Sequence, residues 1–284
     1  MYKSLLTQII AASITLFAIL PSIAAEPNKK ASETDRSVRI STIEYPPLFQ
    51  SKEIPGKGYG VASDLTVAAF KAVNINVTFD YIPMARSVIS VVTKRHPANL
   101  GSINWFIKDQ KQQHVDVVNL FNINFMLFYR KNRFPSGISY EHLSELQDFS
   151  IGNVRGSSTT PVVNNANLNL RWITALEQNF KMLNANRIDL AIGGETAGWA
   201  LIKSLYPDTI DNFAVVKKPV HRVPIGLVFH KEQQKLRDQF NHGIDIILDN
   251  GVYFEILERY YGKERINQDL LTKNIIDKQT VINH

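Results

Sequence analysis

The chain has 284 residues, with 32 Lys and Arg against 26 Asp and Glu, a formal net charge of +6 at pH 7 and no cysteine. A cysteine-free chain excludes disulfides, thiolate metal sites and thiol nucleophiles. The basic residues are scattered and not interleaved with aromatics, which excludes a nucleic-acid footprint and leaves a mild bias toward anionic ligands or surfaces.

The first residues have the pattern of a secretory signal. Lys3 supplies the positive start, Ile9 to Leu20 form an apolar core, Pro21 breaks it, and Ser22-Ile23-Ala24-Ala25 offers small residues for cleavage. The apolar run falls short of the ~20 residues a membrane span needs, so residues 1–25 are expected to be removed. No later stretch is long and apolar enough to cross a bilayer, and no lipid-attachment cysteine is present. The expected location is therefore periplasmic.

Residues 26–37 are polar and aperiodic, a flexible leader. Val38 to Ile43 alternates like a strand and stops at Tyr45-Pro46-Pro47. Gly56, Gly58 and Gly60 precede an apolar helix over Val61–Val73, but their spacing is not the dinucleotide fingerprint. A strand over Ile75–Ile82 and a helix from Pro83 to Thr93 follow. Short strands are expected over Leu100–Trp105, Val115–Val118 and Phe125–Tyr129, the last apolar enough to be covered on both faces.

A helix near Tyr140–Leu146 then leads to a strand over Phe149–Val154, which enters a Gly-Ser-Ser-Thr-Thr turn. A helix over Thr174–Asn186 feeds a strand over Arg187–Ile192. Leu236, Phe240, Ile244, Ile247 and Leu248 recur at helical spacing, Asn250-Gly251 ends that helix, and Val252–Tyr261 begins another. Residues 267–284 read as a partly ordered tail. Alternating strands and helices of this length imply an α/β fold of mostly parallel sheets with helices on both faces.

Six segments in order carry a resemblance. They are Glu44-Tyr45-Pro46-Pro47-Leu48, Trp105 to Lys111, Asp148 to Thr159, Leu183 to Asp189, Pro224 to Lys231, and Asn250 to Gly262. Over residues 38–262 the chain resembles the family 3 extracellular solute-binding proteins, whose polar amino acid binders serve ABC importers. The resemblance implies a two-lobed periplasmic binding protein type II fold joined by two crossing strands. It implies lobe one over 38–121 and 225–266, lobe two over 125–220, and a small-molecule ligand between them, with no cofactor. The expected partner is a membrane permease or receptor, and the expected state is a monomer.

The same resemblance implies a site. Amino-acid-binding members use a Thr-x-x-Arg motif for the ligand carboxylate; here Lys108 and Lys111 stand at those positions. A lysine offers charge but not the planar two-point bond, and Lys111 reads equally as a solvated loop residue. The aspartate that takes the ammonium falls at Gly194, with Glu195 adjacent. Both departures point away from an ordinary α-amino acid.

The Gly156-Ser157-Ser158-Thr159 turn offers backbone N–H groups and hydroxyls to an anion, or simply caps a helix. Tyr45 either stacks on the ligand or packs on Pro46 and Pro47. Trp105 either walls the cleft or fills core. Arg86, early in its helix, aims at the cleft or at a surface ion pair. The seven histidines show no metal spacing and are taken as surface or loop residues. No catalytic motif is present; the enzyme alternative is a dehydratase built on the same fold, resting on Glu195 and Lys111.

Overall fold

The computed structural model describes residues 36–263, 266 and 268–282. The expected signal segment lies outside them. Strand β1 (Arg36–Thr42) starts two residues inside the segment read as leader, and its alternate residues Val38 and Ile40 enter the core. Gly60, at φ 111°, precedes α1 (Val61–Lys71); a Cβ there would stand 2.5 Å from the Leu48 carbonyl oxygen, so only glycine lets the chain pass so close. β2 (Ile75–Tyr81) runs parallel to β1, with Val38 opposite Val77. After α2 (Met84–Val92), β3 (Ala98–Gly101) pairs with the other side of β1.

β3 ends four residues before the expected limit, because the Ser102 hydroxyl accepts the Asn104 N–H and opens a tight helical turn over Ile103–Phe106. A second turn, Lys108–His114, leads into β4 (Val115–Arg130). Two separate strands were expected here. The asparagines at 119, 122 and 124 interrupt the apolar pattern, yet the backbone stays extended because β9 (His221–His230) pairs with it from Val115–His230 to Phe125–His221.

Only the short turn Leu143–Leu146 occupies the place of the helix expected near 140–146. The Glu145 carboxylate accepts the His142 N–H at 2.8 Å and closes that turn, and one turn without an apolar repeat does not propagate. β5 (Ile151–Val154), α3 (Thr160–Asn164), β6 (Leu170–Ile173), α4 (Leu176–Asn184), β7 (Leu190–Gly194), α5 (Glu195–Leu205) and β8 (Phe213–Val215) follow. The chain returns through β9 to α6 (Gln234–Asp249), α7 (Val252–Tyr261) and α8 (Lys273–Ile282). α8 occupies the segment read as a partly ordered tail, with Ile275 fully buried.

The strands order as β2-β1-β3-β9-β4-β7-β5-β6, with β8 also on β4. β1, β2 and β3 are mutually parallel, as are β5, β6 and β7. The antiparallel pair β4 and β9 joins the two groups, so each parallel half belongs to one lobe of a two-lobed fold. Phe70, Phe229 and Phe240 pack in the first half, with ring centroids 4.9 and 5.8 Å apart. Phe128 meets Phe180 edge-on at 5.0 Å in the second.

Two histidines are not surface residues. His96 is buried and its Nε2 lies 2.8 Å from the Asp80 carboxylate, which also pairs with Arg39. His230 is buried where β9 ends, its Nδ1 accepting the Glu232 N–H. Both sit at strand margins whose sheet neighbours cover them, which a lone histidine in a sequence does not reveal.

Candidate functional site

Parallel strands send their following loops to one edge, and ligands bind at those carboxyl ends. In the first half, Tyr45 follows β1, Arg86 follows β2 and Trp105 follows β3. In the second, the Gly156–Thr159 turn follows β5 and Glu195 follows β7. The two edges meet. A Cβ built on Gly194 would lie 3.2 Å from the Tyr45 hydroxyl, so the phenol crowds any side chain at position 194.

Around that meeting point lies a cavity of about 150 Å³, lined by Tyr45, Leu48, residues 122–124, residues 194–197, Tyr261 and Leu270. Two expected site residues, Tyr45 and Glu195, therefore line one cavity. The Tyr45 backbone is fixed by its N–H bonding the Phe49 carbonyl at 2.8 Å, and its ring rests on Phe49 at 6.2 Å. Burial pushes its phenol up to about 12. Burial likewise raises Tyr261, with the negative Glu195 adding to the shift and the Thr196 hydroxyl opposing it. Asn124 keeps a buried Oδ1 with no hydrogen-bond partner in the protein. The polar part of the wall is thus phenols, amides, the Thr196 hydroxyl and one carboxylate, while Leu48, Ile123, Ala197 and Leu270 supply its apolar part.

The other expected residues lie outside this wall. Trp105 lies against Gly101, where a Cβ would fall 2.1 Å from the indole, and meets Phe49 edge-on at 6.3 Å. It packs against these neighbours and does not line the cavity. Lys111 pairs with Asp109 at 2.7 Å and is 19% exposed. Arg86 is exposed on the first turn of α2. Ser157 and Thr159 hydrogen-bond each other at 2.7 Å, and both hydroxyls reach the Asn153 amide oxygen, at 3.2 and 2.9 Å. Gly156 and Ser158 complete that turn, with Gly156 at φ 75° and exposed. Asn153, fully inside, was not foreseen; its Nδ2 has no partner. Asn124, Thr196, Tyr261 and Leu270 were also missed, since nothing local marks them.

Among the described residues, no group of three or more His, Asp or Glu side chains is placed to hold a metal ion, and no helix is long and apolar enough to cross a membrane.

The family model for bacterial extracellular solute-binding proteins, family 3, matches residues 38–263. No curated protein matches the chain in sequence. Among solved structures, an ancestral arginine-binding protein bound to arginine is similar at 19% identity and a TM-score of 0.60, covering 80% of this chain and 98% of its own. A histidine kinase sensor domain with similarity to periplasmic binding proteins matches at 16% identity and 0.64, covering 83% and 97%. The unliganded open L-cystine solute receptor of Neisseria gonorrhoeae matches at 16% and 0.61, again covering 83% and 97%. At these identities the likeness establishes the fold.

Proposed function

The chain belongs to the bacterial extracellular solute-binding proteins, family 3, and on that premise we propose that it is a periplasmic, monomeric binding protein that closes over a small polar solute for an ABC-type importer or a membrane receptor. In this reading lobe one comprises residues 38–121 and 225–266 and lobe two residues 125–220. The solute carries an anionic group and is not an ordinary α-amino acid. It contacts Tyr45 and Glu195 in the cavity, and the Gly156–Thr159 turn, Trp105, Lys111 and Arg86 around it.

One observation carries the reading. The cavity lies where the two strand edges meet, and the Tyr45 hydroxyl stands only 3.2 Å from where the Cβ of an ammonium-binding aspartate at 194 would lie, so it crowds such a side chain. Glu195, one position on, supplies the cavity's carboxylate. A ligand that bridges both edges binds the closed form better than the open one, and that difference in affinity drives closure.

A thermal-shift screen tests this. The mature chain is heated with L-arginine, L-cystine, dicarboxylates, polyamines and short peptides, and the screen is repeated on Lys111→Ala. Each tenfold of ligand above Kd adds ~1.4 kcal/mol of stability. Stabilisation by one class of anionic compound, weakened in Lys111→Ala and without chemical change of the compound, is the expected result. Equal stabilisation by ordinary amino acids would overturn the ligand class, and turnover of the compound would move the protein among enzymes.

A further inference from the structure

The family match ends at residue 263, yet the chain beyond it comes back over β4 and β9 where they join the two parallel halves of the sheet. The Asn122 N–H donates to the Leu270 carbonyl at 2.7 Å, and Phe121 forms an antiparallel bridge with Leu271. The Asn122 side-chain amide donates to the Asp269 and Leu271 carbonyls at 3.2 and 3.0 Å. Asn274 donates to the Asn119 carbonyl at 2.9 Å. From β9, Arg222 pairs with the Asp269 carboxylate at 2.6 Å. Farther along, Lys278 pairs with Asp245 on α6, and Ile275 is fully buried.

These contacts fall on Asn119, Phe121 and Asn122, where the β4–β9 register is irregular. They also place Leu270, 8% exposed, in the wall of the cavity beside Tyr45, Asn124 and Glu195. Lobe closure concentrates its backbone rotation in a few connecting residues. Here those residues carry a third strand-like segment, and that segment lends a side chain to the cavity.

We propose that the C-terminal arm, residues 268–282, is part of the binding site: it is pinned across the lobe connection, and Leu270 closes the rear of the cavity and limits how deep a ligand can enter. This rests on the solute-binding reading, which gives the cavity its use. An apolar stop at that depth favours a ligand whose inner end is apolar and whose polar groups lie toward the strand-end loops.

The absence of cysteine makes the test direct, because one introduced thiol is the only thiol present. Leu270→Cys and, on the exposed side of the arm, Lys273→Cys are reacted with N-ethylmaleimide in the otherwise intact chain. Ile275→Cys is a second buried reporter should Leu270→Cys melt early. Protection by docking slows labelling in proportion to the rarity of opening, and the thiol at position 270 is expected to react at least about tenfold more slowly than the thiol at position 273. Adding Asn122→Ala, which removes two of the anchoring bonds, is expected to recover most of that factor. Equal rates at 270 and 273, in variants whose circular dichroism melts match the wild type, overturn the arm's docking. If a compound from the thermal-shift panel binds and leaves both the labelling rate of Leu270→Cys and the affinity of Leu270→Ala unchanged, the wall role is overturned. If no panel compound binds while the thiol at 270 stays protected and Asn122→Ala releases it, the solute-binding reading fails on that panel and the docked arm stands.

Discussion

Asn179, on α4, holds together the two strands that lead into the Gly156–Thr159 turn and Glu195. Its side chain is fully buried, and its Nδ2 donates to the Gly152 carbonyl of β5 at 3.2 Å and to the Ile192 carbonyl of β7 at 2.9 Å. Both partners are acceptors, so the NH2 end must face them. Asn179→Asp keeps the shape and removes that donor. A carboxylate facing two carbonyls inside the core takes a proton instead, and then donates one hydrogen bond where the amide donated two. The lost bond costs about 1 kcal/mol. Holding a proton at pH 7 against an unfolded-state pKa of ~3.9 costs up to about 4 kcal/mol more, at ~1.36 kcal/mol per pH unit.

The native state then binds the proton that the unfolded chain releases, so stability falls as pH rises above ~3.9. The total is about 5 kcal/mol at pH 7 and about 2.5 kcal/mol at pH 5. Asn179→Ala loses both bonds and leaves a void, costing about 2–4 kcal/mol with no such pH dependence. Urea unfolding followed by circular dichroism at both pH values measures the difference. An Asn179→Asp variant no less stable than Asn179→Ala at pH 7, or equally stable at pH 5 and 7 relative to wild type, would refute the reasoning.

Gly243 lets α6 approach α1, since a Cβ there would stand 2.0 Å from the Ala69 carbonyl oxygen. Gly243→Ala should cost about 1–3 kcal/mol and lower Tm by ~2–4 °C for each, as scanning calorimetry will show. Tyr45 and Tyr140 are each pushed up to about 12 by burial, so stability is full below pH ~10 and is lost as pH rises from ~10 toward 12. Tyr45→Phe should shed less stability over that window, by ~1.36 kcal/mol per pH unit at most, in urea titrations at pH 10, 11 and 12. Gly194→Asp alone meets the Tyr45 hydroxyl at 3.2 Å, whereas Gly194→Asp with Tyr45→Phe frees the carboxylate. The double variant should gain stabilisation by L-arginine that neither single variant shows, measured by thermal shift; equal responses in all three would remove the steric account of position 194.

Much of the chain was legible locally. Alternation at Val38–Ile43 and Ile75–Ile82 and the helical spacing of Leu236, Phe240, Ile244 and Ile247 each match an element in place. Amphipathic periodicity is a property of neighbours, so a sequence displays it directly. Segments whose form depends on distant partners were misread. β4 appeared as two strands because its asparagines hide a pairing supplied by β9, and the turn at 143–146 was read as a helix.

The site divides in the same way. The sequence by itself determined the alternation of strands and helices, the family pattern, and which residues follow strand ends, because these are local or ordered along the chain. Only the tertiary structure decided that Tyr45 meets Gly194, that Ser157 and Thr159 turn inward on Asn153, and that Leu270 enters the cavity. The Tyr45–Gly194 approach and the entry of Leu270 join segments remote in sequence, brought together by the pairing along β4 and β9, whereas Ser157 and Thr159 reach Asn153 across only 4 and 6 residues, through a turn whose backbone path the residue types alone do not fix. No local spacing encodes that geometry.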